Sequence, residues 1–72
     1  MNKYTHSIPL SDTQVILLSR LEIQHISSSG DAELFIALKR GTESAIIKKA
    51  QDGQCYLQWA SPEALALLNL RI

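Results

Sequence analysis

The chain has 72 residues, 46% hydrophobic and 19% charged, with seven Lys and Arg against seven Asp and Glu. That composition excludes a disordered chain, and zero net charge argues against strong non-specific nucleic-acid binding. A single cysteine, Cys55, excludes an internal disulfide, and His6 and His25 have no partner at ligand spacing, so no metal and no cofactor is expected.

A domain this small buries only about 60% of the surface its unfolded chain exposes. With disulfide and metal set aside, oligomerisation is the remaining aid to stability. The start, MNKYTHSIPL, lacks the apolar stretch of a signal peptide, and no run reaches membrane-spanning length. One lone thiol agrees with a reducing compartment. The expectation is a cytoplasmic protein without membrane contact.

Residues 1–9 read as an N-terminal tail ending at Pro9, and 10–72 as a single globular domain. Ser11 and Gln14 have the spacing of a capping box, with Leu10 and Val15 placed for a hydrophobic staple. A helix is therefore predicted from about residue 12 to Ser19 or Arg20. From Leu21 the pattern alternates, which predicts a strand. SSSGD (27–31) reads as a loop by composition.

ELFIALKR (33–40), ESAIIKKAQ (43–51) and QCYLQW (54–59) follow. Read as strands, they form an antiparallel meander, with 41–43 as one turn and Asp52-Gly53 as a two-residue hairpin loop. Leu34, Ile36, Leu38, Ile46, Ala50, Cys55, Leu57 and Trp59 then make a core face, joined by Leu21 and Ile23. Lys48 dissents by falling in its middle. The opposite face carries Phe35, Ala37, Lys39, Ala45, Ile47, Lys49, Tyr56 and Gln58. SPEALALLNL (61–70) is a second helix, capped by Ser61 with Pro62 at its first position.

The fold expected is α+β: an N-terminal helix, an antiparallel meander of three to four strands and a C-terminal helix. The alternative is a three-helix domain that keeps the helix from residue 12, with a helix–turn–helix at about 32–51 and a short wing. In it Lys39, Arg40, Lys48 and Lys49 meet nucleic acid, beside Glu43 and Ser44.

No catalytic pattern stands out. His25, Asp31 and serines 27–29 fall in one loop without the strand-to-helix elbow of a nucleophile. Cys55 is in phase with Leu57 and Trp59, as a small buried hydrophobe is. The expectation is a non-enzymatic binding module, a dimeric regulator or adaptor acting by protein–protein contact. Its contacts would be Phe35, Lys39, Lys49 and Tyr56, together with Leu65 and Leu68 of the leucine-rich C-terminal helix. That helix is apolar on most sides, so a homodimer or a partner's groove would cover it. Nucleic acid is the alternative partner, either on residues 43–51 or on a sheet face bearing Phe35 and Tyr56.

Overall fold

The computed structural model describes residues 7–70. Ser11 starts helix α1 (Asp12–Ser19) with both arms of the capping box in place. Its hydroxyl accepts the Gln14 N–H at 3.2 Å, and Gln14 Oε1 accepts the Ser11 N–H at 2.9 Å. Leu10 and Val15, the staple pair, lie in one hydrophobic cluster. Four strands then run in succession: β2 (Glu22–Ser29), β3 (Ala32–Lys39), β4 (Thr42–Lys49) and β5 (Cys55–Ala60). Helix α2 (Pro62–Leu67) closes the domain, and β1 (Ile8–Pro9) opens it.

The strands form one antiparallel sheet in the order β1-β5-β4-β3-β2. The fold is α+β, as expected, with five strands in place of three or four. Ile8 and Pro9 join the sheet by pairing with Leu57 and Tyr56. Residues 1–6 of the expected tail, with His6, and the terminal Arg71 and Ile72 lie outside the described residues.

The helix–turn–helix alternative is not supported. Its two helices are strands β3 and β4, and Gly41 sits in the hairpin between them. Arg40 and Gly41, with φ of 53° and 78°, form a two-residue loop of the kind whose twist matches the flanking strands. The predicted turn at 41–43 is therefore shifted. Asp52-Gly53 belongs instead to a five-residue loop between Lys49 and Cys55. There Gly53 N–H donates to Ala50 O at 3.0 Å, and Asp52 Oδ1 caps the Gln54 N–H at 2.9 Å. Ser27–Ser29, read as loop, continue β2 up to the turn.

Three register shifts complete the difference. They leave Ile26, Ser44 and Gln58 as the extra residues in β2, β4 and β5. Because side chains alternate across a strand, a one-residue slip inverts a face. Both helices pack on the face bearing Ala37, Ala45, Ile47 and Leu57, where Leu10, Leu18 and Leu68 complete the core. Strands β3 and β4 thus bury the set that sequence phase assigned to the opposite side. In β5 the Gln58 bulge puts Leu57 under the helices and Trp59, opposite Ile46, on the other face.

Small side chains set how closely the helices approach. Helix α2 lies on β4 and β5, where the cross-strand pair Ala45 and Ala60 and the buried Ala64 leave room for it. Helix α1 stands further off the sheet. The end of α2 turns back at Asn69, with φ 57°, where Leu70 N–H donates to Leu65 O and Asn69 N–H to Ala66 O. This Schellman arrangement ends the helix before residue 70, short of the predicted span, and returns Leu70 to the core.

Candidate binding surfaces

Four residues in register across the sheet, Gln24, Ile36, Ile46 and Trp59, cross the face without helices. A second row beside it holds Ser27, Leu34, Lys48 and Tyr56, and at the β2 edge Glu22 stands opposite Leu38. Both helices join the core on the other side, and no described helix lies over this one. Leu34, Ile36, Leu38, Tyr56 and Trp59 are each half-buried. Ile46, flanked by Ile36 and Trp59, is only 1% exposed, yet it belongs to no part of the helix-side cluster. An antiparallel sheet with one solvated face ordinarily alternates to polar residues there. This face is apolar at its centre.

Two charges on it, Lys48 and Glu22, sit at opposite corners, and Glu43 is a third, opposite Leu38 in register. The Lys48 side chain makes no ion pair or hydrogen bond among the described residues. Glu22 accepts a hydrogen bond from Gln24 Nε2 at 2.6 Å, its neighbour along the β2 edge. Ile36 lies midway between the two corners.

The residues proposed from sequence for partner contact do not form one surface. Phe35 and Lys49 fall on the helix side, and Tyr56 falls on the open side. Phe35 packs edge-on against His25, with ring centroids 5.3 Å apart. Lys39 Nζ meets Glu63 Oε1 at 2.6 Å, tying β3 to the start of α2. That hydrogen bond and charge, with the further charge of Arg40, hold Glu63 below its ordinary value of 4.5. Leu65 and Leu68 face the core, Leu68 being 2% exposed, so α2 is covered by its own sheet and leaves only Leu67 prominent.

The basic residues are likewise dispersed. Arg40 is in a turn, Lys39 is paired, Lys48 is on the open face and Lys49 is on the helix side. With Phe35 and Tyr56 on opposite faces, the aromatic platform pictured for nucleic acid is split. Ile36, Trp59 and Lys48 share a face, as expected from sequence, but it is the face without helices and not the core face. The signal was present in Lys48, whose charge marked that face as the one open to solvent.

His25 Nε2 lies 3.2 Å from Ser28 Oγ and 3.6 Å from Glu33 Oε1. Both contacts fall on one ring nitrogen, whereas a serine–histidine–acid relay uses one on each side of the ring. Among the described residues no three His, Cys, Asp or Glu side chains gather to hold a metal ion. None of their helices is long and apolar enough to cross a membrane. No protein-family profile, curated protein or solved structure matches the chain.

Proposed function

We propose that this chain is a non-enzymatic protein–protein contact module that pairs with a second copy of itself through the open face of its sheet. The observation that carries this is the apolar row Ile36, Ile46 and Trp59, bordered by Lys48 and Glu22 at opposite corners. A two-fold axis lying between two stacked copies and passing over Ile36 exchanges those corners. Each Lys48 then meets Glu22 of the other copy, and the two apolar rows cross over Ile36. Isologous contact of this kind requires one surface to complement itself. Burying the row also removes from water the apolar area that a domain of this size leaves uncovered.

Charge reversal tests it. Lys48→Glu and Glu22→Lys should each weaken self-association, and the double variant should restore it, with circular dichroism unchanged throughout. A double variant no better than the singles would remove the proposed pairing. Association of the wild type only with a different protein would replace the second copy as occupant.

A further inference from the structure

On the other side of the sheet, an open cleft of about 670 Å³ lies between α1, strands β2 to β4 and the β4–β5 loop. Its origin is the composition of α1. Residues 15–18 are Val, Ile, Leu and Leu in succession, so the helix has apolar groups on more than one side. Leu18 reaches the core, and Ile16 is left 57% exposed along the cleft. Ile23 on the facing strand is 39% exposed, and Val15, Phe35 and Ile47 continue the apolar lining. The size and the apolar wall with few polar groups are those of a small-molecule site.

The polar groups at its edge say what the ligand carries. Lys49 lines the cleft, and its side chain has no ion pair or hydrogen bond among the described residues. Glu33, opposite it in register, has its carboxylate 3.6 Å from His25. Asp12, also at the edge, occupies the first turn of α1, where the helix dipole favours an acid. Among the described residues the Lys49 ammonium thus has no side-chain partner within ion-pair distance, although Glu33 is its cross-strand neighbour, and it stands beside a hydrocarbon-lined wall. We propose that the cleft binds a small amphipathic carboxylate, its chain against Ile16, Ile23 and Phe35 and its head on the Lys49 ammonium. This site is independent of the self-association surface, being on the opposite face.

The test is a titration of the wild-type chain with monomeric decanoate, with decanol as the uncharged control, followed by backbone amide shifts. Saturable shifts confined to α1, Ile23, Phe35 and the β4–β5 loop are expected. Decanol, and decanoate on a Lys49→Met variant, should bind about tenfold more weakly, as loss of one charge-assisted contact implies. Ile23→Glu, at an exposed position, should abolish binding without unfolding the chain. Absence of shifts below the micelle-forming concentration would overturn the proposal. So would equal binding of decanol, or shifts located on the open face.

Discussion

The side-chain amide of Gln14 joins the two helices by donating from Nε2 to the carbonyl of Leu68 at 3.0 Å. Its Oε1 at the same time accepts the Ser11 N–H of its own cap. One side chain therefore starts α1 and satisfies a carbonyl at the end of α2. Gln14→Ala should cost about 1–2 kcal/mol, the sum of a cap arm and a partly buried hydrogen bond. Gln14→Glu keeps an acceptor for Ser11 but leaves Leu68 O without its donor, and should cost about 1 kcal/mol. Urea unfolding of the three chains separates the two effects. Equal stability of Gln14→Ala and wild type would mean that the Leu68 contact contributes nothing.

The Arg40-Gly41 turn carries a removable strain. Arg40 adopts φ 53°, a left-handed conformation that disfavours a side chain with a Cβ. Asn tolerates it better and suits the first position of such a turn. Arg40→Asn should raise stability by about 0.5–1 kcal/mol. Gly41→Ala should lower it by about 1 kcal/mol. The second cost is conformational, since a Cβ at Gly41 would meet no atom within 4 Å. Thermal melts of both variants check the pair of signs.

The meander and both helix starts were legible because their signals are local. Ser11 with Gln14, and Ser61 with Pro62, name their helices through backbone hydrogen bonding within one turn. The choice of face was not legible, because it depends on where extra residues interrupt alternation. Nothing about Ile26, Ser44 or Gln58 as residue types announces a bulge, yet each shifts the strand pairing on one side of it by a residue. Strict alternation puts Leu57 and Trp59 together, and the bulge at Gln58 separates them. Asp52-Gly53 was a misleading turn signal, because the loop is closed by Ala50 and Gln54 at its base.

Acid should weaken the tie between β3 and α2. The carboxyl of Glu63 is held below 4.5 chiefly by the Lys39 hydrogen bond and charge. A group with a depressed folded value adds stability above its unfolded value and loses it as pH falls through the folded one. Glu63→Gln should therefore be slightly less stable than wild type at neutral pH, with the gap closing as pH drops below 4.5. The pair is exposed, so the effect should shrink further in high salt. A gap that persists unchanged at low pH would assign the effect to something other than this ion pair.

Trp59, the one tryptophan of the chain, reports on the open face without a label. Stacking of two copies removes water from its surroundings, so emission should shift to longer wavelength on dilution. The same red shift should appear in Ile36→Lys at any concentration. Emission independent of dilution in both chains would place Trp59 outside any contact.

Sedimentation equilibrium of the wild-type chain and Ile36→Lys, across a wide concentration range at moderate salt, tests self-association most directly. The expected result is a reversible monomer–dimer equilibrium for the wild type and a folded monomer for the variant. Ile36 is half-buried on the open face and outside the helix-side core, so a lysine there should leave the fold intact. A wild type that stays monomeric at every concentration would contradict the account. A variant that dimerises as well as the wild type would do so equally.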